Sequence, residues 1–327
     1  MKTTKIKAIM VSAMLATSAL TGSAQLSNAA KMAAANEERN AAVFNVSANP
    51  DIPMSVDFAG QRISLDRIDM FERMDRELTS LIYSHTSTLL CIKRANRYFA
   101  ALEAILKQQN VPLDFLYLAC TESTMDYAAY SSAHAAGLWQ LLAATGRQYG
   151  LEVNDEVDER YDPERSTVAA CKYLKDAYSK YRDWPTVAAS YNAGMGRISS
   201  ELGKQGQKSS FDLWLNQETS RYVFRILAFK VLMENPKRYG FRLRRAQLYQ
   251  PVRYNIVEVN GGVASWIDWA KSHGCTYAQL REANPWIRAS KLTNSSGRTY
   301  RVRVPVSDEL YRSKRKFTTY NKNWTID

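Results

Sequence analysis

One carboxylate stands out. In "ACTESTMDYAAYSSAHAAGLWQLL" (residues 119–142) Glu122 closes an apolar run. Phe115, Leu118, Ala119 and Glu122 recur at spacings of three and four, so a helix puts all four on one face. That face is apolar and turns inward, and Glu122 comes to lie at the mouth of a buried stripe. Burial disfavours the charged form of a carboxyl and raises its pKa. A carboxyl that is still protonated near neutral pH is the reagent a general acid requires. The same periodicity also describes a buried glutamate satisfied by a hydroxyl or a backbone donor, and spacing alone does not separate the two.

Further polar blocks follow in order. The Glu122-Ser123 pair is followed by "GLWQ" (137–140), "ASYNAG" (189–194) and "NQETSRYV" (216–223). This series resembles the lytic transglycosylases of peptidoglycan that have a goose-lysozyme-like catalytic domain, particularly the membrane-bound D type, over roughly residues 62–240. The resemblance implies that Glu122 is the single catalytic acid/base and that Ser123 is the serine beside it. It implies that Gln140 lines the groove, that Tyr191 and Asn192 flank the reacting sugar, and that Glu218 and Tyr222 line the groove from a later helix. It further implies cleavage between N-acetylmuramic acid and N-acetylglucosamine, with closure of the muramoyl C6 hydroxyl onto the anomeric carbon to leave a 1,6-anhydro end. Ser123 is expected to hold a lactyl or acetamido group, and Tyr222 to offer its ring to a sugar. Trp139 offers a second such face, although both rings read more readily as core, and Glu218 reads equally as groove residue and as helix N-terminal charge. Three positions depart from the family pattern: His134, Ser190, and Ala143 where proline is usual. A goose-type hydrolase of the same bond, or a catalytically silent wall-binding protein, fits the same blocks.

These residues need a helical scaffold. Helices are expected near 112–124, 137–149, 166–180, 184–193 and 218–234. Two more precede them. One has Ile68, Phe71, Met74, Leu78 and Leu81 on its inner face, and the other has Ile92, Tyr98, Leu102, Ile105 and Leu106. Asp162-Pro163-Glu164 is a helix start, whereas "YGLEVNDEVDERYDPE" and "LGKQGQKSS" carry turn signals. The expected fold is mainly α, with a lysozyme-like domain at 61–245 and a small β-α-α-β module at 250–306. The module, with Val252, Tyr254, Ile256 and Glu258 on one strand face, resembles a degenerate LysM unit, which implies binding of N-acetylglucosamine-containing glycans. Residues 307–327 form a polar, basic tail, expected to be loosely held, and 25–60 a leader without periodicity.

The bulk composition sets the setting. Lys2, Lys5 and Lys7 precede the apolar stretch 8–20 and the small residues "GSA", so residues 1–24 read as a signal peptide and the mature chain as exported to the periplasm or cell envelope. A net charge of +12 fits an anionic wall polymer or lipid surface, and export argues against nucleic acid. The four cysteines form no CxxC and the three histidines are scattered, so neither a metal site nor a cofactor is expected. Export permits a disulfide, and four buried thiols fit equally. The expected partner is the peptidoglycan glycan strand, met by a monomer.

Overall fold

The computed structural model describes residues 49–327. The signal-like segment and most of the leader lie outside the described residues. The chain opens with an antiparallel hairpin, β1 (Ser55–Phe58) and β2 (Gln61–Ser64), paired from Ser55↔Ser64 to Phe58↔Gln61. Its two-residue turn, Ala59-Gly60, has positive φ at both positions, the geometry that matches strand twist. Phe58 is buried against Phe115, and the Ala59 N–H donates to Asp114 at 2.6 Å. The end of the segment read as a leader is therefore part of the core.

Helices α1 (Ile68–Tyr83), α2 (His85–Gln108) and α3 (Leu116–Ser123) follow. The buried face of α1 is Met70, Met74, Glu77, Leu78, Leu81 and Ile82, whereas Ile68 and Phe71 are 75% and 44% exposed. The expected stripe is rotated because this helix turns Glu77 toward arginines of a later helix. In α2, Ile92, Leu102 and Leu106 are buried as expected, joined by Cys91 and Phe99, while Tyr98 and Ile105 are half-buried.

The expected helix over 137–149 shrinks to α4 (Ala143–Gln148). Gly137 and Gln140 both have positive φ, at 78° and 45°, so "GLWQ" is a tight loop. A Cβ at Gly137 would lie 1.9 Å from the Arg160 carbonyl oxygen, so only glycine fits that approach. Ala143 occupies the first position of α4, where proline is favoured but alanine fits as well.

Three further helices have their starts written in the sequence. Asp162 caps α5 (Pro163–Tyr181) by accepting from the N–H groups of Glu164 and Arg165. Asp183 caps α6 (Trp184–Ala193) through Thr186 N–H. Asn216 caps α8 (Gln217–Glu234) through Thr219 N–H. Between α6 and α8 lies α7 (Met195–Gln205), absent from the sequence reading; it buries only Ile198 and so carries little apolar signal. Helix α8 packs on α1, α3 and α6 and buries residues on nearly every side, which makes it the central helix of the domain.

The C-terminal module runs β3 (Tyr254–Val259), α9 (Trp266–Ser272), α10 (Tyr277–Ala283) and β4 (Tyr300–Pro305), with β3 antiparallel to β4. Its core holds Trp266, Leu280, Trp286, Ile287, Val302 and Val304. Strand β3 turns Val257 and Val259 inward and leaves Ile256 44% exposed, opposite to the expected alternation. The tail is not loose. Trp324 is 1% exposed, its Nε1–H donates to Met233 O at 2.6 Å, and Thr325 bridges Leu243. The buried indole, with the Thr318 and Tyr320 N–H groups donating to Gln250 Oε1 and Asn96 Oδ1 at 2.8 Å each, holds a segment whose composition is otherwise polar. The four cysteines are buried thiols. Among the described residues no helix is long and apolar enough to cross a membrane.

Candidate active site

Glu122 lies in the last turn of α3. Immediately after it, Thr124 and Met125 adopt positive φ, at 49° and 58°, and the chain reverses. Ser123 is buried, and its hydroxyl donates to Leu138 O at 2.9 Å and Ala119 O at 3.1 Å. The expected sugar contact is thus turned inward, and Ser123 ties the end of α3 to the "GLWQ" loop. Trp139 is fully buried and its Nε1–H donates to Thr167 Oγ1 on α5 at 2.7 Å, as its reading as core requires. Tyr191 on α6 donates its phenol proton to Trp139 O at 2.8 Å. Gln140 donates from Nε2 to Ala129 O and Gly137 O at 3.1 and 3.0 Å, which turns its amide oxygen away from both carbonyls. The loop is therefore pinned from α3, α5 and α6 at once.

The Glu122 side chain meets α8. Tyr222 is 3% exposed, and its hydroxyl donates to Glu122 Oε1. The ring expected to face a sugar is packed in the interior and the polar end holds the carboxyl. Burial pushes the Glu122 carboxyl up to about 7, and the Glu218 charge adds to the rise; the Tyr222 hydrogen bond and the Arg225 charge oppose it. Burial and the neighbouring Glu122 charge push the phenols of Tyr191 and Tyr222 well above the usual range, so both remain protonated donors.

Asn192 and Glu218 also come together. Asn192 Nδ2 donates to Glu218 Oε1 at 3.3 Å, and Thr219 Oγ1 donates to Asn192 Oδ1 at 2.9 Å. Glu218 sits in the first turn of α8, so it both complements the helix N-terminus and joins the Asn192 pair.

One group beside the site was not foreseen. Glu77 on α1 is 1% exposed and receives Arg221 Nε at 2.6 Å, Arg76 Nε at 3.1 Å and Arg225 Nε at 3.3 Å. It fixes the arginine whose charge acts on Glu122. The signal was available: a glutamate within the stripe of Met70, Met74, Leu78 and Leu81. His134, at φ 62°, pairs its Nδ1 with Tyr130 OH at 2.6 Å, and its carbonyl accepts from Arg160 at 2.8 Å, so this departure shapes a turn.

The described fold is thus a helical domain with one desolvated carboxyl held by a phenol, followed by a β-α-α-β module. Residues 99–213 match the transglycosylase SLT domain, and residues 255–308 match the soluble lytic transglycosylase C-terminal LysM-like domain. The chain therefore carries an SLT transglycosylase domain followed by a LysM-like domain of the soluble lytic transglycosylase C-terminal type. It is 33% identical over 248 residues to membrane-bound lytic murein transglycosylase D of Escherichia coli, covering 72% of this chain and 51% of that protein. It is 30% identical over 179 residues to membrane-bound lytic murein transglycosylase F of Maricaulis maris, covering 49% of this chain and 34% of that one. The chain thus spans about half the length of the D-type relatives it matches. Among solved structures, the 70 kDa soluble lytic transglycosylase of Escherichia coli aligns with a TM-score of 0.38 and 19% identity, over 50% of this chain and 28% of that one.

Proposed function

We propose that this protein is a peptidoglycan lytic transglycosylase of the cell envelope, with Glu122 as its single acid/base. Protonated Glu122 gives its proton to the glycosidic oxygen between N-acetylmuramic acid and N-acetylglucosamine. The bond from that oxygen to the muramoyl anomeric carbon breaks, and the acetamido oxygen eases the positive charge that develops there. The resulting carboxylate takes the proton of the muramoyl C6 hydroxyl, whose oxygen closes on the anomeric carbon. The products are a free 4-hydroxyl and a 1,6-anhydro end, and Glu122 returns protonated with no water consumed. An intramolecular nucleophile supplies up to roughly 7–11 kcal/mol through its effective concentration, which replaces the second carboxylate of ordinary glycosidases.

The observation that carries this reading is the Glu122 carboxyl, pushed up to about 7 by burial and anchored by Tyr222. Such a group is protonated and deprotonated with equal ease at neutral pH, as a residue that must serve twice requires. Tyr222 holds the carboxyl, Tyr191 and Ser123 hold the loop beside it, and Gln140, Asn192 and Glu218 offer polar atoms to the sugar. Residues 61–245 form the catalytic domain in this reading, and the leading segment 1–24 directs export. The test is Glu122→Gln on purified sacculi. Release of soluble fragments is expected to fall by about 10²–10⁴-fold with the fold unchanged; undiminished release would remove Glu122 from the chemistry.

A further inference from the structure

The C-terminal module is built onto the catalytic domain. Val157, from the loop between α4 and α5, is fully buried within the module's own core. Asp158 N–H donates to Trp286 O at 2.8 Å and Arg288 N–H to Glu156 O at 2.9 Å. Arg303 on β4 pairs with Asp162 at 2.6 Å and Glu164 at 3.2 Å. An interface made of shared core, backbone pairing and a buried ion pair fixes the two parts in one geometry.

That geometry leaves an open cleft of about 610 Å³ between the segment 127–130 and helix α10. Its walls carry Tyr127, Tyr130, Tyr161, Arg281, Glu282 and Arg288. The segment 127–130 that borders the cleft also holds the "GLWQ" loop, since its Ala129 carbonyl receives the Gln140 amide at 3.1 Å.

Its charges are unevenly compensated. Arg160 is committed to Asp158 at 2.7 Å and to the carbonyls of His134 and Leu141. Arg281 donates to Tyr277 OH at 2.8 Å, and Arg288 lies 4.3 Å over the Tyr161 ring with one N–H toward Pro285 O at 3.4 Å. Among the described residues neither has a carboxylate partner. A guanidinium held against an aromatic ring keeps its fork of donors directed outward, ready for a planar carboxylate. Glu282 stands where this cleft meets a second cavity, beside the Tyr127 phenol, and offers a negative counterpart a short distance away.

We propose that this interdomain cleft is a subsite for the peptide stem of the muramoyl residue, with Arg281 and Arg288 receiving a stem carboxylate and Glu282 a stem amine. The proposal rests on the reading of peptidoglycan as substrate and extends it to the stem. An uncharged glycan has no group that two guanidiniums would select, whereas a short peptide with free carboxylates does. The module then acts as a wall of the substrate site.

The test is equilibrium binding to the full chain carrying Glu122→Gln, which leaves the ligand intact. The probes are a disaccharide bearing its stem peptide and the same disaccharide whose lactyl carboxyl, freed of peptide, is capped as a simple amide so that it carries no charge. In the Glu122→Gln protein the stem is expected to increase affinity. Arg281→Ala and Arg288→Ala added to that background are each expected to weaken the stem-bearing ligand roughly 10-fold, with the peptide-free ligand unaffected. Arg→Lys at the same positions recovers part of the loss, since charge survives without the fork. A stem that adds no affinity, or alanine variants that weaken both ligands equally, would overturn the proposal. Binding does not depend on turnover, so a catalytically inert wild-type chain would contradict the proposed reaction and leave this result readable.

Discussion

The Tyr222 phenol donates its proton to Oε1 of Glu122, joining residues one hundred positions apart and two helices of the core. The bond orients the carboxyl and favours its ionised form, while burial favours the neutral form more strongly. In the proposed reaction the balance between the two sets the working pH of the site.

Tyr222→Phe removes the bond that favours the carboxylate. The Glu122 pKa then rises above about 7, and the alkaline limb of the kcat/KM profile moves to higher pH. Loss of orientation lowers the maximal rate by about 10-fold. A pH–rate profile of the variant on sacculi checks both, and an unmoved limb would dissociate Tyr222 from the carboxyl.

Glu122 also links stability to pH. Its folded pKa is raised, so its contribution to stability is fully present below the unfolded pKa and is lost as pH rises through about 7. Glu122→Gln removes that loss. Denaturant unfolding is expected to show the variant up to about 3 kcal/mol more stable than wild type at pH 8, with the difference nearly absent at pH 4.

Glu77→Ala leaves three guanidiniums without their shared carboxylate. Breaking a buried pair costs roughly 3–5 kcal/mol. The arginines here keep 26–45% side-chain exposure, so a loss of about 2–3 kcal/mol in urea unfolding is expected. Arg225, no longer paired, favours ionised Glu122 more strongly and moves the alkaline limb of activity to lower pH, opposite to Tyr222→Phe.

Trp324→Ala tests the docking of the tail. The indole is buried against Phe99 and hydrogen-bonded to Met233, so its removal is expected to cost about 3–5 kcal/mol, read by thermal or urea unfolding. A change below about 1 kcal/mol would mean that the last segment packs without contributing to the core.

The sequence carried the helix starts because capping is local. Asp162-Pro163, Asp183 with Pro185, and Asn216 each announce a helix within four residues. The "GLWQ" loop was hidden for the opposite reason. Its apolar run continues a helical pattern, and what breaks it is the Arg160 carbonyl arriving from another part of the chain against Gly137. The hairpin at 55–64 and the docked tail are short or polar, and depend on Phe115 and Met233 supplied from elsewhere. In the site, the apolar stripe that ends at Glu122 was readable, because helical periodicity fixes which residues share a face. The inward turn of Ser123 and the hydroxyl of Tyr222 were not, since both are settled by contacts made only after the helices pack.

In the proposed reaction one carboxyl, acting first as acid and then as base, closes a sugar hydroxyl onto the broken bond. The direct measurement is mass analysis of the fragments released from purified sacculi by the wild-type chain. The expected products are muropeptides lighter by one water than hydrolysis products, ending in 1,6-anhydro-N-acetylmuramic acid, and they are expected to be lost with Glu122→Gln. Fragments with free reducing ends would contradict that reaction and assign the protein to a hydrolase of the same fold.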